Sequence, residues 1–125
     1  MILGVGIDMI EVERVAEKIA KEKGFRELVF SLNEIAFCEG KTNKYEHYAA
    51  RFAAKEAFLK ALGLGWTTGT AFNEIEIGHN ENGKPILLFT GETRTHPAIQ
   101  KTGAISVSLS HLKAIATAIV IIETA

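Results

Sequence analysis

The stretch Ala49–Gly63, AARFAAKEAFLKALG, constrains this chain more than any other. Alanine, leucine, lysine and glutamate dominate it and no proline interrupts it, so it has to be helical. Gly63 falls where a left-handed C-cap belongs and ends the helix. Residues 40–43 read as a turn, so the helix starts at about Lys44 and runs to Leu62. At about 3.6 residues per turn, Ala49, Phe52, Ala53, Glu56, Leu59 and Lys60 share a face. That face is mostly apolar and is expected to look inward, yet it carries a carboxylate. An unpaired ion in low dielectric is costly, so Glu56 needs a partner. One reading pairs it with Lys60, one turn on, at the rim of a core stripe. The other has Glu56 binding a cation and Lys60 the anion that accompanies it. Arg51 and Lys55 read as a cationic ridge toward one edge.

The segments around this helix predict a sheet for it to pack on. Residues 2–10 alternate as a strand, with Leu3, Val5, Ile7 and Met9 on one face and Gly4, Gly6 and Asp8 on the other. Glycines inside a strand mark a close approach by another backbone, a helix or a ligand, and here they clear space beside an acid. Taken alone, Asp8 also suits a cap for the amphipathic helix expected over 11–23. That helix turns Val12, Val15 and Ile19 inward and lines Arg14, Lys18 and Lys21 outward as a basic stripe. Ser31-x-x-Glu34 fits a capping box, which places a short helix over Leu32–Glu39. Asn80-Glu81-Asn82-Gly83 predicts a hairpin between strands at 72–78 and 84–90. Thr93–Lys101 reads as a short helix or an irregular segment. Strands follow at 104–110, with Ser106, Ser108 and Ser110 on one face, and at 115–123, apolar on both faces as a covered central strand would be.

The expected architecture is α+β: an antiparallel sheet packed against one long central helix, in a single small domain over residues 1–125. With a net charge of −1 and 23% charged residues, no basic field argues for nucleic acid. The single cysteine, Cys38, excludes an intramolecular disulfide and a cysteine-rich zinc site. The longest apolar run, Ala114–Ile122, falls short of the roughly 20 residues that cross a bilayer. The expectation is a cytoplasmic protein without a membrane span. The glycine-rich loop Gly63–Gly69 follows a helix instead of preceding one, so side chains such as Lys60 have to supply the charge for any phosphate there.

Four pieces in order, Gly6-Ile7-Asp8, Phe52–Gly63, Asn82-Gly83-Lys84-Pro85 and Ser108-Leu109-Ser110-His111, resemble the 4′-phosphopantetheinyl transferases. Within them the chain is similar to the small bacterial holo-acyl-carrier-protein synthases over nearly its whole length. The resemblance implies Mg²⁺-dependent transfer of the phosphopantetheine arm of coenzyme A to a serine of an apo acyl carrier protein. Adenosine 3′,5′-bisphosphate would leave, and the reaction would support fatty acid biosynthesis. Asp8 and Glu56 match the family's metal ligands, and Lys60 matches its phosphate-contacting lysine. Glu56, Lys60 and a metal-bound water all stay open as the general base. By the same comparison Arg51 and His111, with Lys44 a further candidate, would contact coenzyme A, and Gly65 would keep the loop low enough to admit it. His111 as a core histidine bonded to Ser110 is the alternative.

Acyl carrier proteins are acidic, so the Arg14–Lys18–Lys21 stripe becomes a docking surface. This chain has Glu27 and Leu28 where relatives often carry a basic residue, and Arg26 stands in for it. Relatives are homotrimers with active sites between subunits, and the same is expected here. Two other functions fit parts of the pattern. One is a non-catalytic coenzyme A-binding module. The other is a structural trimer in which Glu56–Lys60 is only an ion pair.

Overall fold

The computed structural model describes residues 1–65 and 69–125. Strand β1 (Ile2–Glu11) runs antiparallel to β5 (Ile115–Thr124), and β5 pairs on its other side with β4 (Thr102–His111). The sheet order is therefore β1-β5-β4, with the apolar β5 in the centre. Helices α1 (Val12–Lys21), α2 (Phe25–Val29) and α3 (Leu32–Glu39) lead into the long α4 (Lys44–Leu62). A separate hairpin, β2 (Ile75–His79) and β3 (Pro85–Phe89), follows it. Two four-residue helices, α5 (Gly91–Arg94) and α6 (Pro97–Gln100), then return the chain to β4. This is the α+β architecture that the sequence predicts.

Helix α4 lies on one face of the sheet, and small residues on both sides let the two backbones come together. A Cβ on Gly4 would fall 1.8 Å from the Ala61 carbonyl oxygen, and one on Gly6 would fall 1.9 Å from that of Ala57. The strand glycines therefore make room for the helix backbone first, and the acid beside them benefits. From β5, Ala116, Ala118, Val120 and Ile122 are buried against Ala49, Ala53, Ala57 and Phe58.

Burial extends round most of α4, which corrects the single-stripe reading. Lys55 is 0% exposed and Arg51 2%, so neither belongs to an exposed cationic ridge. The Lys55 ammonium donates to Glu34 Oε1 at 2.7 Å and to the carbonyls of Phe72 (2.8 Å) and Ile75. Glu34 completes the predicted capping box with Ser31, and its other oxygen accepts from the Ile77 amide at 2.9 Å. One buried ion pair thus ties α3, α4 and β2 together. Burial pulls the Lys55 pKa down, and Glu34 opposes that pull.

Among the described residues, none covers the other face of the sheet. Leu3, Val5, Ile7 and Met9 of β1 and Ile119 of β5 are all exposed there. The central strand is therefore covered on one side only, where the sequence predicts two. Helix α2 has no clear signature in the sequence: it starts after Gly24, at φ 83°, and leaves Leu28 68% exposed. The 93–101 segment becomes helical around His96, whose Nδ1 accepts from the Ala98 amide.

Candidate active site

Gly4 and Gly6 bring β1 against the C-terminal half of α4, and Asp8 arrives there with it. The Lys60 ammonium donates to Asp8 Oδ1 at 2.9 Å and to the Ile7 carbonyl at 3.1 Å. From β5, Thr117 Oγ1 donates to the Asp8 carbonyl at 2.8 Å and fixes the strand from the other side. Lys60 thus pairs with Asp8 across elements, where the helix wheel pairs it with Glu56. Asp8 does not cap α1 either. Glu11 occupies that N-cap, without a side-chain cap bond.

Glu56 is half-buried beside this pair. Burial holds its carboxyl above the ordinary value, the Asp8 charge adds to the shift, and Lys60 and Lys18 oppose it. Two carboxylates from different elements therefore share one charged neighbourhood. Among the described residues no group of three or more His, Cys, Asp or Glu gathers anywhere. A pair of hard oxygen donors with room for other ligands suits Mg²⁺, which typically takes one or two carboxylates and fills the rest with phosphate and water. A thiol nucleophile is excluded: Cys38 is buried, and burial pushes its pKa up to about 12.

The remaining candidates lie toward the N-terminal end of α4. Arg51 Nη1 donates to the His47 carbonyl at 3.4 Å, and Nη2 lies 3.4 Å from His79 Nε2. Its guanidinium sits 4.2 Å from the centre of the Phe37 ring, and its buried Nε has no partner among the described residues. His111, at the end of β4, meets α4 at the preceding turn, its Nδ1 2.8 Å from Glu46 Oε1 and its ring 5.0 Å from that of His47. The alternative reading, a core histidine bonded to Ser110, gives way to this contact with Glu46. His47 and His79 are residues that sequence reasoning missed. The i,i+4 spacing of His47 and Arg51 could have pointed to the first, but nothing local marks the second. Both are held below the ordinary histidine pKa, by burial first and Arg51 next.

Lys44, at the start of α4, reaches Glu39 Oε1 at 3.3 Å and lies over the Tyr45 ring. Gly65 is exposed, and a Cβ on it would meet nothing within 4 Å among the described residues. Of the glycine-rich loop, Trp66, Thr67 and Thr68 lie outside the described residues. On α1, Arg14 and Lys21 are exposed, while Lys18 is half-buried over the Phe25 ring at 5.6 Å. Arg26 is engaged within the chain, 2.7 Å from Glu27 and 3.4 Å from Glu39.

A strand acid and a helix lysine are bonded where β1 crosses α4, with a helix acid in the same charged neighbourhood. A family profile described as the 4′-phosphopantetheinyl transferase superfamily matches residues 4–119, and the chain belongs to that family. Its relatives narrow the class. The holo-[acyl-carrier-protein] synthase of Cytophaga hutchinsonii is 48% identical over 93% of this chain and 94% of its own. That of Ruminiclostridium cellulolyticum is also 48% identical, over 95% and 90%. Among solved structures, the Bacillus anthracis holo-(acyl-carrier-protein) synthase in complex with CoA (3′,5′-ADP) superposes with a TM-score of 0.81. It is 35% identical and covers 100% of this chain and 99% of its own. The Neisseria meningitidis holo-[acyl-carrier-protein] synthase gives a TM-score of 0.88 at 29% identity, over 99% of this chain and 100% of its own.

Proposed function

We propose that this chain is a holo-[acyl-carrier-protein] synthase whose chemistry is centred on Asp8, Glu56 and Lys60. It transfers the 4′-phosphopantetheine arm of coenzyme A to a serine hydroxyl of apo acyl carrier protein and releases adenosine 3′,5′-bisphosphate, in support of fatty acid biosynthesis. The serine oxygen forms the new bond to phosphorus, the bond to the bridging pyrophosphate oxygen breaks, and the serine proton goes to a base in the site. The observation that carries this reading is the meeting of Asp8, Glu56 and Lys60 where β1 crosses α4.

Mg²⁺ held by Asp8 and Glu56 would neutralise charge on the pyrophosphate as the leaving group departs. Asp8 comes from the strand and Glu56 from the helix, so the crossing of β1 over α4 brings both acids into one charged neighbourhood before substrate binds. Lys60 has the flexible stem and three donors needed to follow a phosphate oxygen. Arg51 and His111, with Lys44, would hold the phosphates of coenzyme A toward the other end of α4, and Gly65 would admit the ligand beside the loop. The exposed Arg14 and Lys21, with Lys18, form the surface for the acidic carrier protein. Arg26 contributes less there, because Glu27 and Glu39 already neutralise it. The uncovered apolar face of the sheet supports a homotrimer with active sites between subunits. Among the described residues no helix is long and apolar enough to cross a membrane, in keeping with a cytoplasmic enzyme.

The test is the intact mass of an apo acyl carrier protein after incubation with the enzyme, coenzyme A and Mg²⁺, with and without a chelator. A gain of one phosphopantetheine arm, lost with the chelator and with Asp8→Asn, is expected. Coenzyme A binding with no mass gain across several carrier proteins would turn the assignment to a non-catalytic binding module.

A further inference from the structure

We propose that Lys60 is a tethered counter-ion that occupies Asp8 in the metal-free enzyme and leaves it only when a divalent cation and a pyrophosphate bind together. The inference rests on the reading of Asp8 and Glu56 as the cation ligands and adds an order to the events at that site. Lys60 is anchored twice on β1, at Asp8 Oδ1 and at the Ile7 carbonyl. Its side chain is 54% exposed while that of Asp8 is 17% exposed, so the ammonium covers the acid from the solvent side. With Lys60 in place, the charges of Asp8, Glu56 and Lys60 sum to −1 where the two carboxylates alone would offer −2.

The backbone of the site is held on both sides. Gly4 and Gly6 lock β1 against the backbone of α4, and Thr117 fixes the Asp8 carbonyl from β5. Lys60 is the soft member, with a four-carbon stem and a mobile head. A divalent cation arriving alone meets an ammonium at its ligand and gains little. A pyrophosphate gives Lys60 new acceptors, frees Asp8 and supplies further oxygens to the cation. Each ligand then strengthens the binding of the other by the same factor, as linkage requires. Metal and coenzyme A thus enter as a pair, and the free enzyme holds metal weakly.

The experiment is direct Mn²⁺ binding, followed by electron paramagnetic resonance, to the wild-type protein, Lys60→Met, Lys60→Arg and Asp8→Asn, each with and without coenzyme A. Without coenzyme A, Lys60→Met should bind Mn²⁺ tighter than wild type, on the order of tenfold for removal of one like charge near a dication. Lys60→Arg, which keeps the charge, should bind as weakly as wild type, and Asp8→Asn more weakly still. Coenzyme A should tighten Mn²⁺ binding strongly in wild type and much less in Lys60→Met. If Lys60→Met binds Mn²⁺ no tighter than wild type while Asp8→Asn loses binding, the counter-ion role is wrong and the metal site stands. If Asp8→Asn binds like wild type, the metal site itself is wrong and the counter-ion role falls with it.

Discussion

Lys55 and Lys60 are little more than one turn apart on α4, yet their surroundings give them opposite work. Lys55 is 0% exposed and bonded to Glu34 and two carbonyls, so its charge is permanently engaged. Lys55→Met would leave the Glu34 carboxylate buried without a cation, at a cost of about 3–5 kcal/mol. Urea denaturation should show that loss, and adding Glu34→Gln to the same chain should recover part of it. Glu56 makes a second prediction at this scale. Its pKa lies above the ordinary 4.5, so the folded state holds the proton more tightly than the unfolded chain does. Ionised Glu56 therefore costs stability once the pH rises through that raised value. The same ionised form is the one that binds a cation. Glu56→Gln should melt slightly higher than wild type at neutral pH without metal, and should lose the rise in melting temperature that Mg²⁺ and coenzyme A give together. Differential scanning calorimetry reads both effects.

Elements position these residues, and the crossing of β1 over α4 is the one the site depends on. Gly6→Ala would drive a methyl into the Ala57 carbonyl, a backbone atom in the middle of a packed helix that cannot move aside. Loss of several kcal/mol, or failure to fold, is expected in a chemical denaturation series, because overpacking at a rigid contact typically costs about 1–3 kcal/mol even where side chains can adjust. Gly65→Ala is the contrast. A Cβ there meets nothing within 4 Å among the described residues, and its φ is not in the left-handed region. Its melting temperature should match wild type, and a raised KM for coenzyme A with unchanged stability would support a ligand-admitting role for Gly65. An unchanged KM would remove Gly65 from the site.

At the scale of the whole molecule, one face of the sheet is left uncovered by the described residues, with Leu3, Val5, Ile7, Met9 and Ile119 exposed together. Apolar groups gathered in this way on one sheet face mark an interaction surface. Val5→Glu places a charge in the middle of it, on a strand whose inner face is untouched. Analytical ultracentrifugation should find wild type as a trimer and Val5→Glu as a monomer, with the fold retained by circular dichroism. Activity should fall with the trimer if the site is completed between subunits. A wild-type monomer at micromolar concentration would overturn the trimer.

Local chemistry was enough to read most of the elements, α2 excepted. Helix propensity and the Gly63 cap fixed α4, the capping box fixed α3, and Asn80–Gly83 fixed the hairpin, since each depends on neighbours in sequence. The motif set singled out Asp8, Glu56 and Lys60. What a helix wheel could not show is which partner a side chain finds across the fold. Lys60 reaches Asp8, 52 residues away, because two strand glycines admit a helix backbone, and Lys55 turns inward because Glu34 and the carbonyls of Phe72 and Ile75 accept its charge there. His79 joins Arg51 only through the docking of the hairpin on α4. Sequence alone determined most of the elements and the residue types expected to carry the chemistry; tertiary structure decided their pairing, because burial and close approach act between segments that sequence spacing keeps apart.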